Sequence, residues 1–490
     1  MHLVSTILSS VVVFASLLLI SNTKAAETVT ITQKSTGRAI DVAIEKVEAG
    51  KVHFTLASGQ SYAIAASDLT PESIEAIKAH LAAASAPSAE QLETFAAVND
   101  SVGQPLFGDG PIWAEKAGEV AERLGWKLES KKASSSSYRL YTKPDYAFLG
   151  ARPYCVTLYA GEDEVPERFS LVFANKGDFG SRLGSGEDHF KIMHPDREPP
   201  GNLTEAIELD AEVISETLST GLGEPAEQYF GEKEDRRKVA RWDAGEHAFL
   251  LSSLEDEYVS LLIVPTRVAD AEGKIDFIVD SDFRKIQIEN VRQEANGDVW
   301  IDNIPMVDQG PKGYCAPATF ERAMRYMRVP ADMYLLATAA TAPGGGTNTT
   351  KLSEDCKRIV RSKARRIREL ELHEDFEIDE LKKFIDEGVP VLWQMRSLNE
   401  YNRVANERTE AREAVDDFSA WATEIQAEAE ALAPKLNAEA NHHICMIIGY
   451  NEQTNEVAVS DSWGPRYELR WVHVDIAKAV TSRGGFVIDF

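Results

Sequence analysis

A cysteine at the start of an apolar helix is the best candidate nucleophile in this sequence. Cys315 follows the glycine-punctuated segment 309–314 and precedes Phe320, Met324 and Met327, which recur at helical spacing. The pattern predicts a helix that begins at the cysteine and buries one side, with the free backbone N–H groups of its first turn close to the thiol. A helix N-terminus and a neighbouring imidazolium both favour the thiolate, which is the reactive form of cysteine.

A glutamine six residues upstream supplies a second chemical group. The side-chain amide of Gln309 can donate a hydrogen bond to the oxygen that becomes negative when a carbonyl is attacked. The backbone N–H of Cys315 can donate to the same oxygen. We therefore expect these two donors to form an oxyanion hole.

Two adjacent histidines open an apolar segment far downstream. His442 and His443 precede residues 444–448, which read as a buried strand, and the turn signal Gly449 follows. Neighbouring residues on a strand point to opposite faces, so only one of the two imidazoles can face the thiol. Strand alternation alone leaves either histidine open as the general base.

A carboxylate follows the next predicted strand, residues 457–460. Asp461 stands at the end of that strand. Its carboxylate can accept the second imidazole N–H and fix the tautomer and orientation of the ring. Cysteine, histidine and aspartate would then form a triad.

In order and spacing these residues resemble the papain-like cysteine peptidase superfamily. The resemblance rests on segments 309–315, 443–450 and 461–464. The family's spacing between its histidine and a following Gly-Tyr pair selects His443 over His442. The resemblance implies peptide-bond hydrolysis through an acyl-enzyme, with neither a metal nor a cofactor.

Within that superfamily, one group is especially similar. Segments 303–305, 346–347 and 388–392 resemble those of the bacteriocin-processing peptidases, the thirty-ninth cysteine peptidase family, and their stand-alone relatives, over residues 296–490. That group has aspartate at the position of Asp461, where papain has asparagine. The transporter domains attached to many of its members have no counterpart in these 490 residues, which puts a role in leader-peptide processing in doubt.

The length of the chain favours several domains, and we expect a multidomain α+β protein. Its C-terminal part is expected to adopt a papain-like fold, with the helix bearing the cysteine packed on an antiparallel β-sheet. The expected parts are an export signal (1–26), a small SH3-like β module plus helix (27–84), a linker (85–94), an α+β domain of unknown role (95–290), and a papain-like cysteine peptidase domain (291–490) with a helical insertion (399–438).

Hydrophobic periodicity predicts several individual elements. Helices are expected at residues 71–84 and 112–124, and strands at 138–141 and 156–159. Two further strands on either side of a charged turn are expected to pair as a hairpin, residues 247–252 and 258–265. The helical insertion has two open interpretations, a lid over the cleft or a surface decoration.

Net charge, an apolar N-terminal stretch and the number of cysteines limit the possible binding partners and the possible cellular compartment. The 79 acidic and 52 basic residues give a net charge of −27, which repels nucleic-acid phosphates. An apolar stretch at 11–20 followed by small residues predicts export to the periplasm or outside, and no membrane span is expected after it. Four cysteines are too few for a disulfide-built scaffold and leave any pairing open.

The expected partner is a peptide or protein substrate, and the sequence leaves the oligomeric state open. Two alternatives to a peptidase also remain open at this stage. One is a papain-fold amidase or a transglutaminase-like acyl transferase acting on cell-wall peptides. The other is a catalytically silent binding protein.

Overall fold

A computed structural model describes residues 28–48, 51–84, 87–180, 188–274, 278–340, 347–372, 376–436 and 441–490. The predicted export signal, 1–26, lies outside these ranges. Within them, every helix is too short or too polar to cross a bilayer. Helices and sheets are mixed throughout, as expected for an α+β protein. The chain divides into two compact units, Met1–Ala86 and Pro87–Phe490.

The first unit is a β meander followed by a helix. Its antiparallel strands pair in sequence order around a small apolar core that includes Val42, Phe54 and Ile77. The predicted helix at 71–84 is confirmed, whereas the assignment to SH3-type modules stays a prediction. The elements are β1 (Val29–Thr32), β2 (Ala39–Glu48), β3 (Lys51–Leu56), β4 (Ser61–Ala65) and α1 (Pro71–Ala84).

The linker predicted at residues 85–94 is partly wrong. A helix begins inside it, at Ala89, because Ser88 and Gln91 form a reciprocal capping box. The hydroxyl of Ser88 accepts the N–H of Gln91, and the Gln91 side chain accepts the N–H of Ser88. Such a cap satisfies two otherwise unpaired donors and fixes the first turn.

The central region is built on an eight-stranded antiparallel sheet in the order β5-β6-β7-β8-β12-β11-β10-β9. Its elements are α2 (Ala89–Val102), α3 (Ala117–Leu124), β5 (Lys127–Lys132), β6 (Ser135–Tyr141), β7 (Cys155–Ala160), β8 (Pro166–Asn175), α4 (Asp188–Met193), α5 (Leu203–Leu222), β9 (Ala226–Phe230), β10 (Arg237–Ala244), β11 (His247–Leu254), β12 (Tyr258–Pro265), α6 (Thr266–Asp270) and α7 (Asp280–Glu289).

Most of the elements expected in this region are present. The predicted strands at 138–141 and 156–159 lie within β6 and β7, and the predicted hairpin is β11 paired with β12. The helix expected at 112–124 is wrong in its first half. A 3-10 turn covers Ile112–Ala114, and the helix itself starts only at Ala117.

The C-terminal region has a second sheet, in the order β13-β14-β17-β16-β20-β15, with β18 paired to β17 and β19. Its elements are β13 (Val291–Gln293), β14 (Asp298–Ile301), α8 (Cys315–Tyr326), α9 (Met333–Ala340), α10 (Thr349–Ser362), β15 (Arg366–Leu370), α11 (Ile378–Ile385), β16 (Val391–Arg396), α12 (Asn399–Arg412), α13 (Phe418–Leu432), β17 (His442–Asn451), β18 (Glu456–Ser460), β19 (Arg470–His473), α14 (Val474–Val480) and β20 (Thr481–Asp489).

The two sheets have separate apolar cores, but residues 87–490 form a single compact unit. The boundary expected near residue 290 falls between the sheets, and as a domain boundary it stays a prediction. A third apolar cluster contains residues from both regions, among them Tyr154 and Val172 from one and Val307 and Tyr314 from the other. The two regions therefore share a core.

Strand β17 is the centre of the C-terminal sheet. It pairs with β16 along its first half, with β14 at its end, and with β18 on its other edge. Every residue of β17 except His442 is buried. A strand that is buried on both faces has an almost continuous apolar sequence, and residues 444–448 have such a sequence.

A glycine in β17 allows the close approach of β14. A Cβ built on Gly449 would lie 2.4 Å from the carbonyl oxygen of Val299 and 2.7 Å from the Cβ of Trp300. We expect Gly449→Ala to lower the free energy of unfolding by about 1–3 kcal/mol, because the strands would have to separate. Urea unfolding measures this change. The matched control is Gly110→Ala, since a Cβ at that residue meets no atom within 4 Å; an equal loss in both variants would contradict the account.

Candidate active site

The first turn of α8 carries the candidate nucleophile. Cys315 is the first residue of the helix, and the N-cap residue Tyr314 makes no side-chain capping hydrogen bond. Gly313, the residue before Tyr314, has φ of +70°, and this left-handed conformation turns the chain sharply into the helix. The thiol therefore lies at a helix N-terminus whose first N–H groups are not occupied by a capping side chain, as an oxyanion hole requires.

Helix α8 is tied to both strands that lead to the other candidate residues. The hydroxyl of Thr319 donates to the carbonyl of Ile444 at 3.0 Å, next to His443. The guanidinium of Arg322 donates to the hydroxyl of Ser460 at 2.5 Å, next to Asp461. Because all these groups are buried, the bonds fix the helix in register with β17 and β18.

His443 and Asp461 form a buried pair. Their Nε2 and Oδ1 atoms are 2.9 Å apart, and both side chains are almost fully buried. The other ring nitrogen, Nδ1, is not used by Asp461, and the thiol of Cys315 is close enough to the imidazole to interact with it. His442, by contrast, is exposed. The structure thus brings together Cys315, His443 and Asp461.

The charges around His443 favour the imidazolium. Burial by itself lowers the pKa of His443, but the negative charge of Asp461 and the hydrogen bonds with Asp461 and Cys315 outweigh it. Together they raise the pKa of His443 from 6.5 to about 10. At neutral pH the ring is therefore protonated and can stabilise a thiolate at Cys315.

Ser462 links Asp461 to the predicted oxyanion donor. Its backbone N–H donates to Asp461 Oδ1 at 2.8 Å. Its carbonyl accepts the N–H of Gln309 at 2.8 Å, and its hydroxyl donates to Gln309 Oε1 at 2.9 Å. Because the side-chain oxygen of Gln309 accepts this hydrogen bond, the NH₂ group of the same amide remains available as a donor to an oxyanion.

Arg470 is a component of the site that sequence reasoning missed. Its Nη2 donates to Asp461 Oδ2 at 3.0 Å, and both side chains are 2% exposed. Asp461 is therefore held on one oxygen by His443 and on the other by Arg470. The signal in the sequence is a positive residue directly before the apolar pair Trp471 and Val472 of strand β19.

Trp463 covers the imidazole. Its ring stacks on His443 with 4.8 Å between the ring centroids and 26° between the planes. The guanidinium of Arg470 lies 5.4 Å from the centroid of the same indole. A stacked indole restricts the ring orientation of His443 and shields its hydrogen bond with Asp461 from water.

The helical insertion, α12 and α13, is anchored to this group of residues. On α12, Asn402 and Asn406 accept hydrogen bonds from Arg470 Nη1 at 3.3 and 3.2 Å. Further along, Arg412 forms buried ion pairs with Asp298 at 2.6 Å and Glu456 at 2.9 Å. These contacts hold the insertion against β18 and β19, and the lid and the surface decoration both stay open interpretations.

A second buried thiol lies beside the pair. One ligand-type atom from each of His443, Cys445 and Asp461 lies within 4.8 Å of the others. Three such groups can in principle bind a metal, but both Asp461 oxygens and His443 Nε2 are already hydrogen-bonded, and Arg470 places a positive charge against Asp461. That donor set suits a hydrogen-bonded triad better than a cation site.

A cavity of about 880 Å³ lies elsewhere on the same sheet, along β15 and β20. Its walls include Gln394, Glu369 and Arg483. None of the four candidate residues lines it.

Part of the chain is similar to a known protein family. Residues 301–480 match the model of the Peptidase_C39 like family. This segment is a papain-like, Peptidase_C39-like domain. The match covers less than half of the chain and includes all four candidate residues. No curated protein matches the chain.

The Peptidase_C39-like domain was expected over residues 296–490, and the family match lies within that range. Of the candidate residues, the structure places Cys315, His443 and Asp461 together and connects Gln309 to them through Ser462. Their catalytic roles remain predictions.

The raised pKa of His443 predicts a pH-dependent stability. Because the folded-state pKa of about 10 lies above the ordinary value of 6.5, the protonated ring stabilises the folded protein fully below about pH 6.5. This contribution is lost as the pH rises toward 10. We expect the melting temperature of His443→Gln to lie furthest below that of the wild type near pH 6 and to approach it near pH 10. The exposed His442→Gln is the control; a gap that does not vary with pH would contradict the assignment.

Removing Arg470 should destabilise the site. Arg470→Met leaves Asp461 buried with one partner fewer, and breaking a buried ion pair costs about 3–5 kcal/mol. Chemical denaturation measures the loss. The matched control is Arg466→Met, an exposed arginine on the same segment, for which a change within about 0.5 kcal/mol is expected. Equal effects in the two variants would contradict the role of Arg470.

Proposed function

We propose that this chain is an exported cysteine peptidase that hydrolyses peptide bonds through Cys315, His443 and Asp461. The observation that carries the proposal is the buried hydrogen bond of 2.9 Å between His443 Nε2 and Asp461 Oδ1, with the thiol at a helix N-terminus beside the same imidazole. The match to a peptidase-related family supports the same reaction class.

Each residue has a defined role in the proposed mechanism. The Cys315 thiolate attacks the carbonyl carbon of the scissile bond, and the new oxyanion accepts hydrogen bonds from the Gln309 amide and the Cys315 N–H. The His443 imidazolium then gives its proton to the leaving amine. In the second step His443 takes a proton from water, which attacks the acyl-enzyme and releases the carboxylic acid product. Asp461 keeps the ring oriented throughout.

The proposed location is the periplasm or the exterior. It rests on the apolar stretch 11–20 at the start of the sequence. N-terminal sequencing of the protein secreted or exported by a bacterial host tests it. Cleavage near Ala25 or Ala26 supports export, and a protein that stays in the cytoplasm with an intact N-terminus contradicts it.

Peptide cleavage tests the proposed reaction directly. The protein is incubated with a library of peptides derived from unfolded proteins, and new termini are identified by mass spectrometry. The wild type is expected to produce new termini that Cys315→Ala does not. Cys356→Ala, which removes a buried thiol of α10, is the control that should retain cleavage. If the library stays intact but cell-wall peptides are cleaved or joined, the substrate part of the proposal is wrong.

Gln309→Ala is expected to slow cleavage by about a hundredfold or more, because it removes one donor to the oxyanion. Steady-state kinetics on a cleaved peptide measure the effect, which should fall on kcat because the interaction forms in the transition state. Gln453→Ala is the control, since the side chain of Gln453 is exposed and donates its hydrogen bond to the surface residue Ser419, away from the candidate site. A loss that falls on KM alone would contradict the oxyanion role.

A further inference from the structure

The loop that carries Gln309 is held by side chains of the central region. The backbone N–H of Asp308, the residue just before Gln309, donates to Glu129 Oε1 at 3.0 Å. The carbonyl oxygen of Asp308 accepts a hydrogen bond from the hydroxyl of Tyr141. Both backbone polar groups of Asp308 are therefore bound by side chains of strands β5 and β6 rather than by the Peptidase_C39-like domain itself.

The contact extends to both sides of Asp308. Upstream, the N–H of Met306 donates to the hydroxyl of Ser130 at 3.0 Å. Downstream, the ring of Tyr141 lies against Gly310, where an added Cβ would be 3.1 Å from the ring and φ is +64°. Lys312 forms an ion pair with Asp178 of the central region. The loop is thus held at alternate positions from Met306 to Lys312.

The same network also reaches the catalytic helix. Arg139 of β6 donates to Glu129 Oε1 at 2.7 Å and, with its other nitrogen, to both oxygens of Glu321 at 3.0 and 3.1 Å. Glu321 lies on α8, six residues after Cys315. One arginine therefore connects the carboxylate that binds the Gln309 loop with the carboxylate on the helix that carries the thiol.

These ion pairs are not the kind that open and close readily. The side chains of Arg139, Glu129 and Glu321 are at most 4% exposed. Removing one partner would leave the other charge buried without a counter-charge. The loss would be a large fraction of the free energy of unfolding of a typical domain. The shared apolar cluster around Tyr154 and Tyr314 adds to the same interface. The contact between the regions is therefore buried and combines ion pairs with apolar packing.

From this arrangement we propose that the central region is a structural part of the active site. Its strands β5 and β6 hold the Gln309 loop at the distance from Cys315 that oxyanion binding needs, with Tyr141 and Glu129 as positioning residues. This inference rests on the proposed cysteine hydrolase function. It assigns a role to residues 95–290, in which sequence analysis finds no chemical motif.

Two reactions of the same thiol separate positioning of the loop from activation of the thiol. Alkylation by iodoacetamide forms a C–S bond at a saturated carbon while iodide leaves, so it needs the thiolate but no oxyanion hole. Acylation by 4-nitrophenyl acetate forms a thioester through a tetrahedral oxyanion and releases 4-nitrophenolate, so it needs both. The rate constants of both reactions are measured on the full-length exported protein, with Cys315→Ala as the background.

The test variant is Tyr141→Phe, which removes only the hydroxyl that binds the Asp308 carbonyl. We expect acylation to slow by about tenfold or more, because a misplaced donor loses much of its effect, while alkylation stays at the wild-type rate. The matched control is Tyr146→Phe, a half-buried tyrosine of the same region whose hydroxyl binds Trp126 and not the loop. Both of its rates are expected to match the wild type.

The outcomes distinguish this inference from the proposed function. Normal alkylation and normal acylation in Tyr141→Phe overturn the positioning role and leave the hydrolase proposal standing. A wild-type protein that is alkylated at Cys315 but not acylated also overturns it. A wild-type protein with no reactive Cys315 overturns the proposed function itself. If Tyr141→Phe does not fold, Ser130→Ala, which removes the acceptor of the Met306 N–H, is judged by the same two rates.

Discussion

The burial of helix α8, in which only Cys315 and Arg325 are partly exposed, is the constraint on which the rest of this structure depends. A buried helix that carries charged residues is stable only if each charge has a partner. Glu321 and Arg322 are both 0% exposed and point to different neighbours, the first to Arg139 of the central region and the second to Pro305 and Ser460. The hydrogen bonds of these two side chains fix the helix against the central region on one side and against the C-terminal sheet on the other.

The candidate chemistry follows from that fixation. Because α8 cannot shift relative to β17 and β18, the thiol at its first residue stays beside His443, and His443 stays beside Asp461. Arg470 and Trp463 complete the surroundings of the pair, and the inserted helices hold Arg470 from behind through Asn402 and Asn406. Although the protein is acidic overall, several of its arginines are buried at or near the candidate active site.

Much of the candidate site was accessible from the sequence, because its parts are local patterns. A cysteine after a glycine-rich turn, a histidine at the mouth of an apolar strand and an aspartate at the end of the next strand each leave a signal within a few residues. The choice between His442 and His443 also needed only strand alternation and one family spacing. The structure agrees in exposing the first and burying the second.

What the sequence could not provide are contacts between residues far apart in the chain. Arg470 looks like any charged residue until β19 is placed beside Asp461, and the Tyr141 contact with Asp308 spans 167 residues. Two predictions of secondary structure were wrong for local reasons. Ser88 caps a helix that begins inside the expected linker. The segment Ile112–Ala114 forms a 3-10 turn, although its hydrophobic periodicity predicts an α-helix. The long-range ion pairs depend on the tertiary fold, which periodicity does not encode.

Of the four thiols, we expect that of Cys315 to be activated by its surroundings. Burial raises the pKa of Cys155 to about 12 and also raises the pKa values of Cys356 and Cys445, so these thiols are expected to be inert. The most direct test is to treat the folded protein briefly with iodoacetamide near pH 6 and to quantify the modification of each cysteine by mass spectrometry, with and without His443→Ala. The account predicts rapid modification confined to Cys315 and slowed in the variant. Modification of Cys315 no faster than that of the three buried cysteines, or unaffected by loss of His443, would contradict it.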